Sequence, residues 1–233
     1  MAGHNKWSKI KRGKAVEDAK RGAAFTRIGN QIALAARSGA DPSMNPPLAL
    51  AIEKAKAANM PNTNIERSIA RVTDKSAAQL QEILYEGYGP GGVAVLVECA
   101  TDNINRTYPE VRTVFAKRGG NVAEKGAVAY LFDRKGIITV NATGEDALLA
   151  ILDAGAEDAT EEDGEMRVIT DSKDLAKVRD ALKEAGLVVT DAELSYEPNT
   201  LVELEEEKQE KAVALLDAFD ELDDVVNTYT NLA

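Results

Sequence analysis

The chain is poor in the residues that most often carry chemistry. It has one cysteine, one histidine and one tryptophan in 233 residues, and aromatic residues make up 5% of it. Cys99 alone cannot close an internal disulfide, which suits a reducing cytoplasm, and a small thiol at the end of an apolar strand reads as core filling. His4 would have to serve any Ser-His or Cys-His pair from a place next to the terminus, and one thiol with one imidazole leaves no zinc set. No acidic spacing matches a calcium loop. No run of 18 apolar residues is present, which excludes a transmembrane helix. No apolar segment follows the first charges, which excludes a secretory signal, and Glu17 and Asp18 weaken a mitochondrial transit reading. These absences predict a cytoplasmic protein that is not an enzyme, holds no cofactor or metal, engages no membrane, and offers no identifiable small-molecule site.

Acidic residues are abundant. The formal net charge is -11, with carboxylates concentrated in "EDATEEDGE" (157–165) and "EEEKQEK" (205–211). Catalytic carboxylate pairs need convergence in a cleft, whereas runs on a helix face or in a hairpin read as solvated surface. The distribution says more than the total. Residues 1–80 hold 14 Lys and Arg against 6 Asp and Glu, a net of +8, while residues 81–233 hold 14 against 33, a net of -19. Such asymmetry marks a polyanion-binding part attached to a separate body.

The basic part begins "MAGHNKWSKIKRGKAVEDAKRG". Lys6, Lys9, Lys11, Arg12, Lys14, Lys20 and Arg21 attract phosphate by charge and counterion release, without demanding fixed geometry. Arg27 continues the series along the first helix. Trp7, between Lys6 and Lys9, is either a base-stacking indole or an anchor into a helical bundle. Residues 1–20 show no apolar period and are expected to be mobile or to become helical only when bound. Phe25, Ile28, Ile32 and Ala35 mark a helix over 20–37. Leu48, Ile52 and Ala55 mark a second, and Ile65, Ile69 and Val72 a third that opens with a Thr63–Glu66 capping box. These faces are too short to stand alone and predict a small bundle.

After residue 80 strands alternate with helices. The strands expected are 93–99, 127–132, 134–140, a hairpin about Asp163-Gly164, 187–196, 201–204 and a last one from Val225. Helices fall between them, one with a Thr107–Glu110 capping box. The fold class is α+β and multidomain: an N-terminal helical bundle, then two ferredoxin-like β-α-β-β-α-β sandwiches, the second inserted in the first. The boundaries are 1–80, then 81–133 with 199–233, and 134–198 between those two pieces.

Two further stretches invite a phosphate reading. "EGYGPGG" (86–92) is rich in glycine, yet it precedes a strand and lacks the Gly-Lys-Ser/Thr ending of a Walker loop, so it reads as a turn or a backbone surface for a partner. In "TDNINRTYPEVR" (101–112), Asn103, Asn105 and Arg106 stand where a helix begins; they could donate to phosphate, or satisfy the loop and cap the helix.

"MAGHNKW", "DAKRG", "ANMPNTNIER", "YEGYGPGG", "TDNINRT", "GGN" (119–121) and "AYLF" occur in one order over residues 1–135. Together they closely resemble the YebC/PmpR family of transcriptional regulators, in which a mitochondrial translational activator also falls. The resemblance implies a three-domain fold, a cytoplasmic protein without enzymatic activity, and DNA binding or action in translation on the ribosome. It maps the family's basic motif onto Lys6, Lys9, Lys11, Lys14, Lys20 and Arg21. The second helix departs from the family: it opens "NPPLA" where relatives have "NPRLR", so Pro47 and Ala49 replace two arginines, and phosphate binding shifts toward the arm and first helix. The sequence shows no helix-turn-helix spacing, and the aromatic signature of the common RNA-recognition module is absent. The function expected is a DNA-binding regulator of transcription; the alternative is a factor associated with RNA or the ribosome that regulates translation.

Overall fold

A computed structural model describes residues 18–72 and 79–233. The chain forms two compact units: the first runs to Phe132 and resumes over Pro198–Ala233, and the second is Asp133–Glu197. Among the described residues there are seven α-helices and two four-stranded sheets.

The first unit opens with α1 (Asp18–Ala36), α2 (Pro46–Ala57) and α3 (Asn62–Ala70). The i, i+4 residues Ile28 and Ile32 close on Leu48, Ala55, Met60 and Ile65, with Phe25, Ile52, Ile69 and Val72 around them. Asn45 joins α1 to α2. Its Oδ1 accepts the Leu48 N–H at 3.3 Å, and its Nδ2 donates to the carbonyls of Ala35 and Gly39 at 2.8 and 2.7 Å. One buried side chain thus caps α2 and satisfies carbonyls at and just beyond the end of α1. Residues 58–61 turn the chain into α3, with Asn59 at φ 58°. The expected Thr63–Glu66 box does not cap α3. Pro61 stands at the N-cap with its φ at -57°, the helix starts at Asn62, and Thr63 lies inside the first turn.

The sheet of this unit has the order β3-β1-β2-β8, from β1 (Gln81–Tyr88), β2 (Ala94–Thr101), β3 (Asn121–Val122) and β8 (Val225–Thr230), every pair antiparallel. One face, through Val95, Val97 and Cys99, packs on α4 (Ile104–Lys117) and α7 (Glu206–Asp220), where Phe115 meets Phe219 edge-on at 4.7 Å. On this sheet α1 contacts β2 and β8.

Three expectations fail here. β1 takes Glu86, Gly87 and Tyr88, the first three residues of the glycine-rich stretch, and only 89–92 form the turn. Gly87 lies within it because the Phe115 ring fills the side-chain space: a Cβ there would sit 2.4 Å from Phe115 Cζ. Residues 127–131 are not a strand. The buried Glu86 carboxylate accepts the N–H groups of Gly126, Val128 and Ala129 at 2.6–2.8 Å, drawing them away from any ladder, and a 3₁₀ turn follows at Ala129–Leu131. Residues 201–204 give one bridge, Val202 to Leu232. The order β-α-β-β-α-β therefore does not describe this sheet, which is built on a β1–β2 hairpin.

The second unit contains β4 (Phe132–Val140, its first residue in the other unit), α5 (Glu145–Asp153), β5 (Asp158–Glu162), β6 (Glu165–Asp171), α6 (Leu175–Glu184) and β7 (Val189–Pro198). Its sheet order is β5-β6-β4-β7. Asp163 and Gly164 turn the β5–β6 hairpin at φ 50° and 85°, the paired positive values that a two-residue turn of this hand requires. Ile138, Val140, Ile151, Met166, Val168, Val178 and Leu182 are buried in this unit.

Candidate nucleic-acid interface

Lys6, Trp7, Lys9, Lys11, Arg12 and Lys14 lie outside the described residues, as does His4. Lys20 and Arg21 fall in the first turn of α1. That helix begins at Asp18, so the expected start at residue 20 moves two residues earlier.

Arg27 sits further along α1, beside the C-terminal end of α7. Its Nη2 donates to the Asp220 carbonyl at 2.6 Å and its Nη1 approaches Asp220 Oδ1 at 3.4 Å. A cation at a helix C-terminus satisfies an orphan carbonyl and complements the dipole. On the same helix Asn30 donates to the Asp223 carbonyl and Gln31 to Asn227 Oδ1, both at 3.4 Å. Arg71, just past α3, donates to Asn30 Oδ1 at 3.3 Å and lies 3.9 Å from Asp102.

The "TDNINR" segment completes this polar seam. Asn103 is the N-cap of α4, accepting the Arg106 N–H at 3.3 Å through Oδ1. The helix thus starts at Ile104 rather than after Thr107, and the Thr107–Glu110 box is absent. Thr107 is instead buried one turn in, where its hydroxyl donates to Asp224 at 2.6 Å. Arg106 donates to Asp102 at 3.1 Å and to Asp224 at 2.7 Å, and Thr101 donates to Asp224 at 3.1 Å. Burial opposes the Asp224 charge, but hydrogen bonds from Thr107, Arg106 and Thr101 outweigh it, and the carboxyl is held below its ordinary range. The bond and charge of Asp224 in turn raise the basicity of Arg106.

Of the residues singled out from sequence, the structure gathers Asn103 and Arg106 around Asp224 and sets Arg27 against Asp220. Asn105 is exposed on α4. The acidic partners Asp102, Asp220 and Asp224 were not anticipated. Their signal was weak: three of the chain's many carboxylates, two of them in the "DELDD" turn between helix and strand.

The glycine-rich stretch offers no phosphate cradle. Gly89 donates its N–H to the Val93 carbonyl and Gly92 to the Gly89 carbonyl. Leu204 occupies the space beside Gly91, at φ 75°. Glu86 adds a buried negative charge. Burial works against that charge, yet the three N–H groups of Gly126, Val128 and Ala129 prevail and lower its pKa. Cys99 is buried and unpaired, and burial pushes its thiol far up, leaving it inert. Among the described residues no group of His, Cys, Asp and Glu could hold a metal, and no helix is long and apolar enough to cross a membrane.

Two family models match the chain: "TACO1/YebC protein N-terminal domain" over residues 5–75 and "TACO1/YebC second and third domain" over residues 80–232. A probable transcriptional regulatory protein of Corynebacterium diphtheriae is 48% identical over 238 residues, covering 100% of this chain and 95% of that one. One of Treponema denticola is 48% identical over 237 residues (100% and 96%), and one of Desulfosudis oleivorans 49% over 236 (99% and 96%). The crystal structure of a conserved hypothetical protein from Aquifex aeolicus matches with a TM-score of 0.90 at 42% identity, covering 98% of this chain and 96% of that one.

Proposed function

The chain belongs to the TACO1/YebC family, and from that premise we propose that it is a non-enzymatic, cytoplasmic regulator of transcription that binds DNA through its basic N-terminal region. Its relatives carry the name of probable transcriptional regulators, which supports the regulatory role. The observation that carries the binding mode is the charge partition, +8 over residues 1–80 against -19 over 81–233. Lys6, Trp7, Lys9, Lys11, Arg12, Lys14, Lys20 and Arg21 form the contact in this reading. Arg27, Asn103 and Arg106 already hold partners within the chain, so phosphate would have to displace carboxylates and carbonyls there; Asn105 is open. The exposed residues of α3 include Asn62, Thr63, Glu66 and Arg67, whose one cation is balanced by one carboxylate. The contact is therefore dominated by the nucleic-acid backbone and carries little sequence information.

A second reading has its own support. An acidic body repels the duplex flanking a DNA site, whereas a basic arm can enter an RNA-lined site while the body faces basic proteins. That reading makes the chain a translation factor associated with RNA or the ribosome. Sucrose-gradient fractionation of lysate, with and without nuclease, separates the two. Migration as a free protein, with promoter fragments recovered by crosslinking, supports transcription. Nuclease-sensitive co-migration with ribosomal particles contradicts it and supports translation.

A further inference from the structure

α4 is the basic element of an acidic body. Of the 14 Lys and Arg after residue 80, five (Arg106, Arg112, Lys117, Arg118 and Lys125) fall within residues 104–125, beside two acids, Glu110 and Glu124. The rest of 81–233 holds nine bases against 31 acids. Arg106 is committed to Asp102 and Asp224. Arg112, Lys117 and Arg118 are exposed, and none is ion-paired to another described residue. Lys117 and Arg118 also suit the helix C-terminus; Arg112, in mid-helix, has no such structural task.

An aromatic ring shares the flank of Arg112. Ile104, Tyr108 and Arg112 are spaced i, i+4, i+8, about 6 Å apart along the axis, with Asn105 beside them. Tyr108 and Ile104 are each 42% exposed. The Tyr108 ring is backed by Tyr85, centroids 5.9 Å apart and planes tilted by 42°, which fixes its orientation while leaving it open to solvent.

We propose that this flank of α4 binds single-stranded nucleic acid. An unpaired base stacks on Tyr108, Asn105 hydrogen-bonds beside it, and Arg112, one turn on, receives the adjoining phosphate. A duplex keeps its bases stacked on one another and offers Tyr108 no ring face, so the site selects single strands. The inference rests on the nucleic-acid reading above and adds to it a second contact, on the body, and a strandedness.

The test uses the intact chain and fluorescence anisotropy with a uridine oligomer, a thymidine oligomer and a DNA duplex. Tyr108→Ala is expected to weaken single-strand binding by roughly 5- to 100-fold, the range for loss of one base–aromatic stack, and to leave duplex binding within about two-fold. Tyr108→Phe keeps the ring and retains affinity. Arg112→Gln lowers the single-strand salt slope by about 0.7. A loss on the uridine oligomer alone assigns the site to RNA, and on thymidine alone to DNA; both support it. Wild-type affinity for both oligomers in Tyr108→Ala and Arg112→Gln overturns the site. Arg112 is exposed, so its variant keeps the test valid if Tyr108→Ala fails to fold. Deletion of residues 2–17 separates the two readings: if it abolishes binding while the α4 variants do not weaken it, the arm stands and this site falls. If the intact chain binds none of the three probes, both fall.

Discussion

Arg106 and Asp224 meet at 2.7 Å where the end of β2, the start of α4 and the start of β8 converge. Asp224 also accepts from Thr101 and Thr107, so one carboxylate ties the β2–α4 connection to the start of β8, more than a hundred residues later. Asp224→Ala is expected to destabilise the chain by about 2–4 kcal/mol, because two buried hydroxyls and a guanidinium lose their acceptor together. Arg106→Ala costs less, since that side chain is 46% exposed. Urea unfolding followed by circular dichroism measures both.

Acid should act through Asp224 and Glu86. Both carboxyls titrate below their ordinary values in the folded state. Between that lowered value and the unfolded one, near pH 4, the unfolded chain binds more protons. Their stabilisation is thus complete at neutral pH, begins to fall as pH drops through about 4, and is gone below the folded pKa. A Glu86→Gln variant loses this part of the acid limb and is less stable at neutral pH by about 1–3 kcal/mol, because an amide cannot accept from three N–H groups as a carboxylate does. Stability measured against pH for both chains checks it.

Asn45→Ala is expected to cost about 1–3 kcal/mol. It removes the α2 cap and orphans the carbonyls of Ala35 and Gly39. The loss should appear first as hydrogen exchange at the ends of α1 and α2, with the second unit protected as before.

Gly87→Ala places a methyl group against the Phe115 ring and the Asn121 carbonyl, 2.4 and 2.6 Å from where they stand. Overpacking of this kind costs about 1–3 kcal/mol, more where backbone must move. Gly22→Ala, with nothing within 4 Å of the added carbon, is the control and should stabilise α1 slightly. Thermal melts of the two variants compare them directly.

Local rules were readable wherever local rules decide. The Asp163-Gly164 hairpin follows from two residues that tolerate positive φ, and α1 from the spacing of Ile28 and Ile32. The second unit showed its element order for the same reason. Tertiary demands hid the rest. β1 was disguised by Gly87, which is glycine because Phe115 lies over it rather than because the chain turns. Residues 127–131 have a strand's composition, yet the N–H groups of Val128 and Ala129 serve a carboxylate some forty residues earlier in the chain, and those of Ala127 and Leu131 close local turns. α4 starts earlier than its capping box suggested because Asn103, for which both phosphate donation and capping were open, is its cap. The basic arm was legible as charge alone, and charge partition is independent of fold. The seam of Arg27, Asn30, Arg71 and Arg106 was not legible, since Asp220, Asp223 and Asp224 come from the end of α7 and the turn before β8, more than a hundred residues away.

The central claim is that phosphate contacts belong to the basic N-terminal region. The salt dependence of duplex affinity tests it most directly, measured on the intact chain and on a chain lacking residues 2–17, which leaves α1 whole. Five cations are removed: Lys6, Lys9, Lys11, Arg12 and Lys14. At about 0.9 per neutralised phosphate, the slope of log K against log salt should become shallower by roughly two to four, and affinity at low salt should fall by more than ten-fold. An unchanged slope with unchanged affinity would contradict the assignment and move the phosphate contacts to the body.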